Sequence, residues 1–121
     1  MQPIAQNNFE EFVHRLGKPV WRASRTVTWH EEDDLYFVAQ ACTRHLLLCI
    51  ITPAPYECDA TLEKLYQRAH PLRFMGLPVR VYCRKNQDGQ MQIIGAIAIS
   101  QTAVNADRLF ALCRALRHLF A

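Results

Sequence analysis

Two spacings of apolar residues alternate along the chain, and each dictates an element. Phe9, Phe12, Val13 and Leu16 stand at i, i+3, i+4 and i+7, which places them on one face of a helix. Asn7 or Asn8 can cap its start, and Gly17 followed by Pro19 ends it. A helix this short draws its stability from docking. A spacing of two follows. Trp21, Ala23, Val27 and Trp29 share one face of a strand, with Arg22, Ser24, Thr26 and Thr28 on the other; Arg25 interrupts the apolar side. Glu31-Glu32-Asp33-Asp34 makes a turn. Leu35 to Cys42 forms a second strand with Leu35, Phe37, Ala39 and Ala41 on one side, and Thr43-Arg44-His45 turns the chain again. Leu46 to Ile51 is apolar at every position, the pattern of a central strand covered on both faces.

Pro53 and Pro55 end that strand. Asp59 or Thr61 then caps a second helix carrying Leu62, Leu65, Tyr66 and Ala69. Pro71 lacks an N–H and crowds the preceding turn, so the helix weakens there. Leu72, Phe74, Met75 and Leu77 make an apolar connector. Pro78 to Arg84 alternates Val79, Val81 and Cys83 against Arg80, Tyr82 and Arg84; Asn86 to Gly89 is a hairpin loop, and Met91 to Ile99 a fifth strand. Asn105 caps the last helix, whose stripe is Leu109, Leu112, Cys113, Leu116 and Phe120. Asp107 suits its positive end, and Arg114, Arg117 and His118 its negative end. The order is α-β-β-β-α-β-β-α, an α+β domain of five strands and three helices over residues 1–121.

Half of the 121 residues are hydrophobic. A chain of this size buries roughly two-thirds of its unfolded surface in one domain, so no disulfide or metal is required. The longest apolar run, Leu46 to Ile51, is far short of the ~20 residues of a membrane span, and no membrane insertion is expected. Met1 to Glu11 has neither the basic start nor the apolar centre of a secretory signal. The five cysteines follow no regular spacing, which predicts reduced, buried thiols in a cytoplasmic protein. A formal charge of +3 with scattered arginines is too weak a signature for nucleic-acid binding.

No catalytic set has a specific spacing. Cys42, His45 and Cys49 lack a fourth ligand for structural zinc. His30 with Glu31 to Asp34 lacks the glycine and the carboxylate spacing of a calcium loop. No glycine-rich phosphate loop is present. Cys58 and His70 are one conceivable nucleophilic pair, with nothing to select them. The opening α-β-β-β-α order matches a double-stranded-RNA-binding domain, but the second helix starts Asp59-Ala60-Thr61-Leu62-Glu63, which repels phosphate. No cofactor, no metal and no nucleic-acid partner are therefore expected. Trp21, Trp29, Tyr66, Leu72, Phe74, Met75 and Leu77 are in surplus; they either complete the core or form a seam for a partner.

Three segments carry a resemblance that covers nearly the whole chain. They are Phe9 to Gly17 with its Leu-Gly ending, Leu46 to Ile51 followed by Leu62 to Tyr66, and Ile97 to Ile99 followed by Asn105 to Leu112. In order and size the chain resembles the class I chaperones of bacterial type III secretion. The resemblance implies a twisted antiparallel sheet with helices packed on it, no enzyme activity, and a homodimer or a heterodimer with a related small chaperone. It implies a secreted effector protein as client, its N-terminal segment held extended by strand addition and side-chain pockets. The opening helix and first strands are the family's client-binding region, here Phe9, Trp21, Val27 and Trp29, with one tryptophan expected to be solvent-accessible. The region after the second helix is its dimer interface, here Tyr66, Leu72, Phe74, Met75, Leu77, Val79 and Val81. A regulatory adaptor of the same fold that binds a folded partner, and a cysteine/histidine enzyme with an unlocated centre, stay open as alternatives.

Overall fold

Proline fits the first turn of a helix, where its missing N–H would have no partner in any case. In the computed structural model, which describes residues 1–54 and 58–120, α1 accordingly runs Pro3–Leu16. It starts ahead of the asparagines expected to cap it. Ala5, Phe9 and Phe12 form its buried face, and Gly17 ends it at φ 63°, a left-handed conformation that glycine adopts without cost.

The strand expected over Trp21–Trp29 is two strands. Ser24, at φ 57°, and Arg25 reverse the chain between β1 (Trp21–Ala23) and β2 (Thr26–Glu32). Trp21 then pairs with Thr28 and Arg22 with Val27. Because cross-strand partners share a face, Trp21 and Trp29 lie on opposite sides of the sheet, not on one. β3 (Leu35–Ala41), β4 (His45–Pro53), α2 (Cys58–Arg68), β5 (Val79–Lys85), β6 (Met91–Ser100) and α3 (Ala106–His118) follow. A single helical turn, Pro71–Phe74, sits in the apolar connector. The fold is α+β, with six antiparallel strands in the order β1-β2-β3-β4-β6-β5; the additional strand relative to expectation is the short β1. Asn105 caps α3, its Oδ1 accepting from the Arg108 N–H at 2.8 Å.

The three helices pack on one face of this sheet. Trp29, Phe37, Leu48, Ile50, Ile97 and Ile99 point from the strands into a core shared with Phe12, Leu65, Phe74, Leu109, Leu112 and Leu116. Each such side chain contributes about 1.5–3 kcal/mol when fully buried. Trp29 stacks on Phe37 at 5.4 Å and meets the edge of Phe12 at 5.6 Å. At Gly95 a Cβ would stand 3.2 Å from both Ile50 Cγ2 and Leu119 Cδ1, so the end of α3 can approach β6 only over a glycine.

The thiols are not all reduced. Cys58 and Cys83 form a disulfide, because α2 runs beside β5 and brings these two side chains together. Cys42, Cys49 and Cys113 are free. Burial pushes the Cys113 thiol up to about 12 and the Cys49 thiol up to about 11, the latter partly opposed by Arg84. Both keep their protons at neutral pH, which makes them poor nucleophiles.

Candidate protein-docking surface

An apolar strand such as β4 needs cover on both faces, and here helices supply it on one. Leu46, Leu48 and Ile50 face the helices. Cys49 and Ile51 face the other way, into a second cluster with Ile94 and Ala96, packed by Tyr36, Val38, Leu47 and Tyr82. Every residue of that second cluster comes from β3, β4, β5 or β6, and none from a helix. The expectation of a twice-covered strand is thus corrected: this face is apolar without a second layer of secondary structure over it among the described residues.

Register assembles the face in rows. Trp21 pairs with Thr28, Thr28 with Val38, Val38 with Cys49, Cys49 with Ala96 and Ala96 with Arg80. The next row runs His30, Tyr36, Ile51, Ile94, Tyr82. Trp21 meets the His30 ring at 5.3 Å, and His30 meets Tyr36 at 5.6 Å. The Tyr36 hydroxyl accepts from Gln92 Nε2 at 3.1 Å across the intervening strand. Tyr36 packs against the cluster of Cys49, Ile51, Ile94 and Ala96.

Charge on this face has one sign. A register irregularity between His30 and Glu32, of the kind an extra residue introduces, lets both neighbouring glutamates reach α3. Arg117 bonds Glu31 at 2.7 Å and Glu32 at 2.6 Å, and Lys18 joins Glu31 at 2.8 Å. The rows of the open face are left without a carboxylate, while Arg80 and Arg84 of β5 project from it. Neither arginine makes an ion pair among the described residues, whereas Arg15, Arg22 and Arg117 elsewhere do.

The residues assigned to client binding do not form one surface. Trp29 is fully buried, and Phe9 and Val27 are 3% and 8% exposed; the helices need those side chains for the core. Phe9 and Val27 reach solvent only as the floor of a cleft of about 410 Å³ beneath the β1–β2 hairpin, beside the Arg22–Glu10 ion pair. Trp21, 56% exposed, belongs to the opposite, open face. The residues assigned to a dimer interface divide likewise. Tyr66, Leu72 and Met75 are exposed, Leu77 and Val79 half-buried, and Phe74 and Val81 are core. Phe74 plugs the core, so the turn around it presents Leu72 and Met75 outward as a separate apolar knob. The sequence reading missed Tyr36, Val38, Leu47 and Tyr82 as surface candidates. The alternation of Arg80, Tyr82 and Arg84 against Val79, Val81 and Cys83 was the signal for the face they share.

Among the described residues no three potential metal ligands converge, and no helix is long and apolar enough to cross a membrane. Cys58, half of the conceivable Cys58–His70 pair, is bonded to Cys83. The family model named SsaM matches residues 4–121. The chain belongs to the SsaM family. The crystal structure of YbjN from E. coli superposes on this SsaM-family fold with a TM-score of 0.58 at 9% identity, covering 95% of this chain and 84% of that one. At that identity the likeness shows the fold alone. No curated protein matches the sequence. The family found is thus SsaM, on a small α+β fold.

Proposed function

We propose that this SsaM-family chain is a non-catalytic protein-binding module of the secretion-chaperone type, and that its partner protein docks on the open face of the sheet. One observation carries the reading: β4 is apolar on both sides, and among the described residues a helical layer lies over one of them and not over the other. Water against Val38, Leu47, Tyr36 and Tyr82 is a standing cost that a partner removes, at roughly 25 cal/mol per Å² of apolar surface covered. Trp21 and the two tyrosines are the aromatic type that anchors such interfaces. The shape favours one form of the reading. The face is a broad sheet surface and not a narrow channel, which suits a folded or helical partner surface. An adaptor role thus stands beside the holding of an extended effector segment, for which the free edge of β5 is available.

The test is co-expression with the products of the genes beside it, followed by size-exclusion chromatography of the full chain. Val38→Asp and Tyr82→Ala should abolish co-elution with the partner while far-UV circular dichroism stays native. Leu72→Ser, on the separate knob, should leave co-elution intact. If Leu72→Ser alone releases the partner, the docking surface is the knob and not the sheet.

A further inference from the structure

We infer that the partner segment docking on the open sheet face is acidic as well as apolar, with carboxylates that meet Arg80 and Arg84 at the β5 side. This rests on the reading of that face as a docking surface and adds the chemistry of its occupant.

Three observations lead there. Beside the exposed Trp21, the face presents half-buried Tyr36, Val38, Leu47 and Tyr82, packed over Cys49, Ile51, Ile94 and Ala96, which are already buried; this apolar band selects against a partner that is charged throughout. Its full charges are all positive. Arg80 and Arg84 flank Tyr82 on one strand, about 13 Å apart at the rise of a strand, and both are exposed. Asp88 of the β5–β6 loop lines the same hollow as Arg84 but makes no ion pair with it. Four of the chain's own carboxylates are engaged elsewhere. Glu31 and Glu32 turn to Arg117 and Lys18, Glu10 to Arg22, and Asp107 to Arg15.

A second copy of this chain docking through the same face would bring a face with no carboxylate against one that needs them. A nucleic acid would meet a mostly uncharged, aliphatic surface where a polyanion needs a run of cations. An acidic amphipathic segment satisfies both features at once. Its aliphatic side covers Val38, Leu47 and the two tyrosine rings, and its carboxylates reach the arginines at the rim, where charge complementarity sets orientation and rejects wrong partners.

The probes are two synthetic helix-forming peptides of about 18 residues, roughly 27 Å long, enough to cross a six-stranded sheet about 24 Å wide. Both carry leucine at i, i+3, i+4, i+7 spacing; one has glutamate at the remaining positions and the other lysine. Each is titrated into the full chain while tryptophan emission is followed. Trp21 on this face reports binding, and Trp21→Phe should remove the response. The glutamate peptide should bind at least about tenfold tighter at low salt. The preference should shrink as salt approaches about 1 M, where charges are screened within ~3 Å. An Arg80→Gln/Arg84→Gln variant should lose the preference and keep residual binding.

Equal binding of both peptides with the Trp21 response overturns the acidic assignment and leaves the docking face standing. A preference that survives the double variant overturns it too. Tighter binding of a poly-dT oligonucleotide, or no Trp21 response to the glutamate peptide, also refutes it. In that last case the co-expression experiment decides separately whether the face docks a protein at all.

Discussion

Replacing Trp29 with alanine tests the division of the two tryptophans between core and surface. Trp29 is fully buried, stacked on Phe37 and edged by Phe12. Deleting such a ring costs about 3–5 kcal/mol through lost transfer energy and the cavity left behind. One feature lowers that figure: its indole Nε1 is buried without an acceptor. An unsatisfied donor carries a penalty of about 1–3 kcal/mol, and the substitution removes it. The expected loss is therefore near the bottom of the range, about 3 kcal/mol. A domain of this size loses about 4 °C of Tm per kcal/mol, which gives a drop of about 12 °C. Trp21→Ala removes a side chain that is mostly in water and should cost under about 1 kcal/mol. Urea unfolding followed by far-UV circular dichroism measures both. Trp29→Phe keeps an aromatic ring while deleting the orphan donor and leaving a smaller cavity than alanine does; it should cost clearly less than Trp29→Ala. Each alanine variant retains one tryptophan, so the emission of Trp21→Ala should be blue and that of Trp29→Ala red. Equal destabilisation by the two alanine variants, or a loss under about 1 kcal/mol from Trp29→Ala, would refute the assignment.

Gly95→Ala should destabilise by about 1–3 kcal/mol in the same assay, since the added Cβ stands 3.2 Å from Ile50 and Leu119 in a packed interior; a neutral result would mean that the end of α3 is free to withdraw. The raised thiols of Cys49 and Cys113, at about 11 and about 12, give a pH dependence of fixed sign. Above the ordinary value near 9 the unfolded thiols release protons that the folded ones keep, so stability should fall as pH rises from about 9 toward 11 and beyond. At neutral pH Cys49 should resist iodoacetamide in a mass-spectrometric readout, and rapid labelling of it in the folded protein would contradict its burial.

The apolar periods of the sequence determined which segments became helices and strands. The stripe of α1 and the Asn105 cap of α3 depend on neighbours within a few residues, and both were legible there. The fully apolar run Leu46–Ile51 was equally legible as a central strand. Pairing was not. Alternation across Trp21–Trp29 is the same for one strand as for two folded back on each other, and the reversal at Ser24–Arg25 becomes visible only when Trp21 is seen opposite Thr28. That reversal sent one tryptophan into the core and the other to the open face. The Cys58–Cys83 disulfide, the turning of Glu31 and Glu32 to Arg117, and the lack of helical cover over Cys49 and Ile51 are likewise tertiary facts. Each joins residues far apart in the chain. An apolar position states that it must be covered; only the folded arrangement shows which faces the chain covers with its own helices.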